Sequence, residues 1–345
     1  MSARQAEIPR SGTDPSQTPP PPSRWLPSQI LARYGLLVAW AVVALIFSVL
    51  PQTSGTFPTL DNFATIFGSQ AVIALLTLGL VIPLAAGDYD LSIAFNLTLS
   101  AMLLAILNVH HHWPVLLAVA AAVATGAAIG TINAAIILFF RIDSLIVTLG
   151  TGTFIQGVVL WISGSNTISG VSQGLVNWVV VYRLLGIPVE FYYALLLSLL
   201  LWYVFELTPL GRRILFVGRG RNVARLSGIH VGRIRWGALV ASGVISALAG
   251  VVYAGTTGAA DPTSGTQLLL PAFAAAFLGA TSIYPGRFNP IGALGAVYFL
   301  VTGITGFQLL GAQSYVQQLF YGGALVLAVV LSQLARKREA LETGT

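Results

Sequence analysis

The sequence predicts an all-α membrane protein, a polytopic bundle of about ten transmembrane helices with both termini cytoplasmic. Composition is the first reason: 56% of the 345 residues are hydrophobic and only 8% are charged, against roughly 25% charged residues in a soluble domain. The second reason is a series of long apolar runs. The third is where the positive charge falls between them.

A hydrocarbon core takes about 20 helical residues to cross. Runs of that order lie at 33–50, 64–86, 91–109, 113–139, 145–163, 191–206, 236–255, 268–283, 288–306 and 315–334, two of them on the short side. They are continuous rather than alternating, and backbone in lipid must satisfy its own hydrogen bonds, so helices follow rather than strands. Ten crossings return both termini to one side. With the N-terminus inside, the cytoplasmic segments collect Arg4, Arg10, Arg24, Arg33, Arg141, the seven arginines of segment 207–235, Arg287, Arg336, Lys337 and Arg338. Of the 17 Lys and Arg residues only Arg183, in the outer segment 164–190, is left outside. That asymmetry is the positive-inside pattern, and an odd span count would break it. The formal net charge of +6 therefore reports topology, and no nucleic-acid partner is read from it.

Residues 1–28 are rich in Pro, Ser, Thr and Gln, with the run Pro19-Pro20-Pro21-Pro22, and carry too little apolar surface to order themselves. They are expected to form a disordered cytoplasmic tail. A cleaved signal peptide is not read there, because the first apolar run starts after residue 30 and no short apolar core precedes a small-residue cleavage site. Residues 29–338 read as one transmembrane domain and 339–345 as a short cytoplasmic tail. Zero cysteines exclude disulfides and thiol chemistry.

Groups that could perform covalent chemistry are scarce. There is no Gly-rich phosphate loop, no His-Glu-x-x-His and no Gly-x-Ser-x-Gly, so the chain reads as a non-enzyme with no metal or cofactor of its own. His110, His111 and His112 stand on a tight outer turn, where adjacent side chains cannot close a tetrahedral metal shell alone. A solvated turn is the expectation.

The spans carry packing chemistry instead. Gly126, Gly130 and Ala134 repeat every four residues on the fourth span, and Gly243, Ala247, Gly250 and Ala254 do so on the seventh; small residues let helix backbones approach in lipid. On the fifth span Ser144, Thr148 and Thr151 share one stripe, while Gly150, Thr153 and Gly157 lie on another face. A hydroxyl stripe suits a path for a polar, uncharged solute, with Asn96 and Asn133 as further polar groups along it. The alternative is that each hydroxyl bonds back to its own helix carbonyl at i−4. Between the second and third spans, Gly87-Asp88-Tyr89-Asp90 places acids either at the cytoplasmic surface or in a protein-lined break. Asp90 reads first as an N-cap of the third span. Ion coupling through Asp88 or Asp90, as in a secondary carrier, is the sharper reading.

Between Leu207 and Trp236 two apolar runs are joined by a loop with Arg212, Arg213, Arg219, Arg221, Arg225, Arg233 and Arg235 and no acid. Topology accounts for most of that charge. It does not account for Leu226 and Ile229, apolar residues in a polar loop that suit a docking surface.

Several segments together resemble the membrane permease subunits of bacterial ATP-binding cassette importers, in the branch that includes the ribose, xylose and galactose permeases. The resemblance runs from about residue 60 to 338. The family's Gly-Ile-Asp-Leu-Ser is similar to Asp88-Tyr89-Asp90-Leu91-Ser92. Its Ile-Asn, followed by Arg-Ile-Pro-Pro-Phe-Ile-x-Thr-Leu-Gly, is matched by Ile132-Asn133 and by residues 141–150. Its Ala-Arg-Leu-Ser-Gly-Ile stands unchanged at 224–229, and its Leu-Gly-Gly-Thr-Ser and Gly-Gly-x-Gly resemble Leu278-Gly279-Ala280-Thr281-Ser282 and Pro285-Gly286-Arg287-Phe288.

The resemblance implies a homodimer or heterodimer of permeases in the bacterial inner membrane, two cytoplasmic ATPase subunits carrying ATP and Mg, and a periplasmic substrate-binding protein. It makes the loop around Asn222, Ala224, Arg225, Leu226, Ser227, Gly228 and Ile229 the coupling helix that sits on the ATPase. It implies import of a small polar solute, a monosaccharide first, with amino acids or nucleosides as the rival cargo. The chain departs from the pattern at Asp88, in place of a glycine; at Asp143-Ser144, in place of paired prolines; and at Gly220-Arg221-Asn222, in place of an Asn and acids. The loop is thereby more basic, and a more acidic groove on the ATPase is the expected complement.

Overall fold

The computed structural model describes the backbone from Pro27 to Glu342 and the side chains from 33 to 331. Most of the tail 1–28 and residues 343–345 lie outside the described residues. Residues 27 and 28, read as tail, already belong to the first helix, and the last helix continues past 338 to Glu342.

Each apolar run falls on a helix. These are α1 (Pro27–Val49), the pair α2 (Leu60–Gly68) and α3 (Ala71–Ala85), α4 (Ile93–Ala105) with its π-helical extension Ile106–His110, α5 (Val115–Phe140) and α6 (Ser144–Ser163). After the short α7 (Gln173–Val176) come α8 (Val189–Leu207), the loop helices α9 (Pro209–Arg219) and α10 (Arg221–Leu226), α11 (Val231–Thr257), α12 (Ser264–Gly279), α13 (Pro290–Leu309) and α14 (Ser314–Glu342). Among the described residues seven helices are long and apolar enough to cross a membrane, or eight if α2 and α3, bent by 41° at their junction, are one span. Arg33–Val49 and Ser264–Gly279 are apolar but shorter.

The run expected at 64–86 as one span is thus broken. Its apolar character resumes after Ser69-Gln70, but the helical ladder is interrupted there, and Thr59 caps the first half by accepting from the Asn62 amide. Every residue of α3 is buried, as expected of a helix that is apolar all round. It packs against α8, α11, α12 and α13, while α11 is flanked by α3, α4 and α5. The faces of α5, α6, α8 and α14 expose large apolar side chains such as Leu116, Phe154, Leu196 and Leu319.

The small-residue stripes lie at the crossings the sequence leads one to expect. A Cβ on Gly243 would stand 2.3 Å from the Gly126 carbonyl oxygen, and one on Gly130 2.5 Å from that of Leu239. Farther along α11, Gly250 meets the Leu97 carbonyl of α4 in the same way, at 2.3 Å. Small residues here bring backbone against backbone, where dispersion and weak polar contacts hold helices together in lipid.

Away from the helices, β1 (Ile168–Ser169) pairs antiparallel with β4 (Ala259–Ala260), and β2 (Arg183–Leu184) with β3 (Ile187–Pro188). His110 ends the π-helical extension of α4, and His111 and His112 lie on the turn before α5; all three are exposed.

Candidate functional site

The arginine-rich loop is a folded unit. Thr208 caps α9, its hydroxyl accepting from the Gly211 amide at 3.3 Å, and Pro209 supplies the pre-set first helical residue. Gly211, Ile214 and Val217 are buried along one face. A Cβ on Gly211 would lie 2.3 Å from the Val204 carbonyl oxygen, and one on Gly218 2.0 Å from that of Ala85. Backbone contact therefore seats α9 on the ends of both α8 and α3.

After an extended Gly220 the chain makes α10 and stops it at Gly228, whose φ of +80° is free to a residue without Cβ. The Gly228 amide bonds the Arg225 carbonyl at 3.1 Å, and the Ile229 amide bonds that of Ala224 at 3.0 Å. Those paired bonds close a glycine-terminated helix and fold the residue after the glycine back onto it. Ile229 accordingly packs with Ala224, Val217 and Val231. This corrects its expected place on the docking surface: Ile229 holds the helix down. The outward side chains are Val223, 58% exposed, and Leu226, 89% exposed, flanked by exposed Asn222, Arg225 and Ser227.

Helix α3 ends by the same device. Gly87 has φ +81°, its amide bonds the Leu84 carbonyl, and the Asp88 amide reaches that of Pro83 at 2.9 Å. Asp88 is thereby turned toward the loop, with 1% of its side chain exposed. Arg235 grips it with two bonds, Nε to Oδ2 and Nη2 to Oδ1, both 2.7 Å. Arg221 donates to Oδ1 at 2.9 Å and to the Gly87 carbonyl at 2.6 Å.

Asp90, also buried, accepts from the Ser92 amide at 3.1 Å, the Ser92 hydroxyl at 2.6 Å and the Ser242 hydroxyl at 2.7 Å. The N-cap position of α4 belongs to Ser92. Asp90 ties the turn before the helix rather than the helix itself, because the chain needs two further residues to enter α4. Ser246 of α11 adds a bond to the Ile93 carbonyl.

The hydroxyl stripe of α6 faces this same break. Ser144 Oγ accepts from the Tyr89 amide at 2.9 Å, and Thr148 Oγ1 accepts from the Leu91 amide at 3.0 Å. Thr148, Thr151 and Thr153 also bond back to the carbonyls of Ser144, Val147 and Leu149, as the i−4 alternative expects. Ser144 and Thr148 are buried and here satisfy the backbone of the break. Asn133 donates to Ser92 Oγ at 2.8 Å and Asn96 to the Gly243 carbonyl at 3.0 Å, and the amide oxygen of each is buried without a partner among the described residues. Asp143, which departs from the family's proline, caps α6 by accepting from the Leu145 amide at 2.8 Å.

Gly279, Thr281, Ser282 and Gly286 form the turn between α12 and α13. Gly279 presses on the Ala293 amide, the Ser282 hydroxyl donates to the Arg33 carbonyl at 2.9 Å, and Gly286 takes φ +87°. Asn289 was not singled out from sequence, yet its amide donates to the Gly279 and Ser282 carbonyls while its oxygen caps α13 through the Gly292 amide. The Asn-Pro pair at the start of an apolar run is the signal that marks it. Beside this turn Arg287 pairs with Glu206 and stacks 4.1 Å over Tyr284.

Apolar helices joined backbone to backbone, with one short helix presenting leucine, valine and arginine outward, make a polytopic helical membrane protein with a folded, arginine-rich loop. The family described as branched-chain amino acid transport system / permease component matches residues 62–329, and the chain belongs to it. Over 305 residues the chain is 32% identical to the D-allose transport system permease protein AlsC of Escherichia coli K12, covering 88% of this chain and 93% of that one. It is 32% identical over 299 residues to the ribose import permease protein RbsC of the same strain, covering 86% and 92%. The ribose import permease protein RbsC of Bacillus subtilis is 31% identical over 313 residues, covering 90% and 95%. No solved structure matches. The chain is thus a multi-pass inner-membrane permease subunit of an ATP-binding cassette importer and not an enzyme; ATP hydrolysis lies with a partner. Permeases of this class work with an ATPase and a periplasmic binding protein and carry no cofactor themselves. An ion-coupled carrier is not favoured, and Asp88, one of its two candidate acids, is held by two arginines.

Proposed function

We propose that this subunit crosses the membrane ten times with both termini cytoplasmic and, with a second permease copy, forms the path of a monosaccharide delivered by a periplasmic binding protein. The names of the allose and ribose relatives support the cargo. The seven long helices, the bent pair and the two shorter apolar helices support the count. Contacts support the orientation. Arg33 with Ser282 and Ile283, Asp88 with Arg221 and Arg235, and Glu206 with Arg287 all join segments that ten crossings put inside. Asn108, at the outer end of its span, with Ser172 and Ile168 with Ala260 join segments that they put outside.

The observation that carries the mechanism is α10, a six-residue helix fixed to the bundle from below with Leu226 almost wholly exposed. Asn222, Ala224, Arg225, Leu226, Ser227, Gly228 and Ile229 form the ATPase-docking element, the last three closing it and Ala224 with Ile229 seating it. Arg221 and Arg235 are turned to Asp88, so the exposed Arg212, Arg213, Arg219, Arg225 and Arg233 are left to meet an acidic groove around Leu226. Displacement of such a rigid element passes into the helices it touches as a rigid-body shift. The polar wall of the path is formed by Ser144, Thr148, Thr151, Asn133 and Asn96 beside the α3–α4 break, and the two unpartnered asparagine oxygens are acceptors that a solute hydroxyl or water can satisfy when the break opens. The exposed apolar faces of α5, α6, α8 and α14 meet lipid or the second copy.

The test is uptake of labelled ribose, allose and leucine by proteoliposomes holding this chain with its ATPase and binding protein, for wild type and for Arg225→Glu with Leu226→Asp. The expected result is ATP-dependent sugar uptake that the variant loses together with ATPase association while still inserting. Uptake without the ATPase, following a proton or sodium gradient, refutes the mechanism. Leucine uptake without sugar uptake refutes the cargo.

A further inference from the structure

The apolar attachment of helix α10 to the bundle is a small cluster, Ala224 with Val217, Val231 and Ile229. None of these residues belongs to the α3–α4 break. Asp88 makes that connection. Its carboxylate is reached at once by Arg221, the first residue of α10, and by Arg235 in the second turn of α11, while Arg221 also bonds the Gly87 carbonyl. The group lies at the head of the break 86–92, which is tied in turn to α6 through Ser144 and Thr148, to α11 through Ser242 and to α5 through Asn133.

We propose that Asp88 is a positioning residue that joins α10 to the α3–α4 break, so that displacement of α10 is delivered to the break. The inference rests on the reading of α10 as the ATPase-docking element. Two features of the chemistry favour it over mere packing. The Arg235 fork fixes the plane of the carboxylate, since two parallel charge-assisted bonds constrain direction as well as distance. The Arg221 bond then transmits along that direction, and its side chain, 42% exposed, sits at the start of the helix that moves. Asp88 is buried and beyond reach of a docked protein, so any effect of its substitution on the ATPase passes through the arginines.

The experiment uses the full transporter in proteoliposomes and measures ATPase affinity and ATP hydrolysed per solute imported. Arg221→Gln and Asp88→Asn are expected to keep the ATPase bound and to raise ATP per solute by about fivefold or more, the lower end of ordinary coupling between sites. The double variant should add little to either single one, as for residues acting through one contact. Should Asp88→Asn fail to insert, Arg221→Gln decides alone, since its side chain is half in solvent. Wild-type ATP per solute in that variant overturns the proposal. Leu226→Asp separates the premise: if it leaves ATPase affinity unchanged, the docking reading fails and the proposal goes with it, whereas loss of affinity there with intact coupling in Arg221→Gln overturns the proposal alone.

Discussion

Gly243→Ala places one methyl group where the Gly126 carbonyl oxygen stands 2.3 Å away, with the Gly130 amide at 3.2 Å on the same side. Ordinary carbon–oxygen contact begins near 3.4 Å, so α5 and α11 must part by about 1 Å or twist, and either response loosens the dispersion contacts of the whole crossing. Overpacking of this kind costs about 1–3 kcal/mol, and separation also threatens the Asn96 bond to the Gly243 carbonyl. Gly150→Ala is the matched control, because nothing lies within 4 Å of its added carbon. There the methyl relieves glycine's helical entropy penalty and is expected to be neutral or to stabilise by about 0.5–1 kcal/mol. The assay is denaturation of the purified chain in detergent, followed by its tryptophans at matched lipid content. The expected order is Gly243→Ala well below wild type and Gly150→Ala at or above it. Equal midpoints for the two variants refute the reading of the α5–α11 crossing as a backbone contact.

Three further outcomes are expected. Asn289→Ala strips donors from the Gly279 and Ser282 carbonyls and the cap from Gly292, at about 1–3 kcal/mol for a buried group left unsatisfied; Asn289→Asp should recover the cap alone, measured by the same denaturation. Gly228→Ala meets no side chain but inherits φ +80°, so it should cost about 1–2 kcal/mol of backbone strain, seen as faster proteolysis of the 207–235 loop with the bundle's midpoint little changed. Asp261, in the turn after β4, accepts from the Thr263 hydroxyl and amide and from Thr167, and these bonds hold its carboxyl below the usual range. A lowered value in the folded state gives stabilisation that is present above the unfolded value near 3.8 and lost as pH falls through the folded one. Accessibility of a label at Ser169, exposed on β1 beside Thr167, should therefore be flat from pH 7 to about 5 and rise only in stronger acid; a rise already near pH 6 contradicts the assignment.

The helices were legible because apolar length is a one-dimensional property, and the runs from 33 to 334 carry it openly. The stripes on α5 and α11 were legible for a related reason: Gly126 and Gly243 announce close approach, although neither says which helix approaches. The bend between Gly68 and Ala71 was not legible, since two polar residues, Ser69 and Gln70, between long apolar runs do not lower the hydropathy of the whole segment enough to mark a broken backbone ladder. The loop motif was legible as a motif, but the direction of Ile229 followed from the left-handed turn at Gly228, which sends the next residue inward. Least legible was the use of the charges. Asp88 reads as an oddity between two spans and Arg221 and Arg235 as topology, and they meet across 133 and 147 residues, a distance over which periodicity carries no information. The same holds for Ser144 and Thr148, whose stripe is plain in sequence while the Tyr89 and Leu91 amides that they serve are not.

The shared carboxylate also separates two moments in the life of the chain. While the protein is being threaded into the bilayer, contacts between residues so far apart in sequence do not yet exist, and all seven arginines of the loop act as unpaired cations that keep it on its side. Once the helices have assembled, Arg235 is largely withdrawn from water and Arg221 is tethered, both by one acid whose charge no solvent screens. The positive field that orients the newborn chain is therefore stronger than the field the finished subunit offers to its surroundings, and only the second is present when a partner arrives.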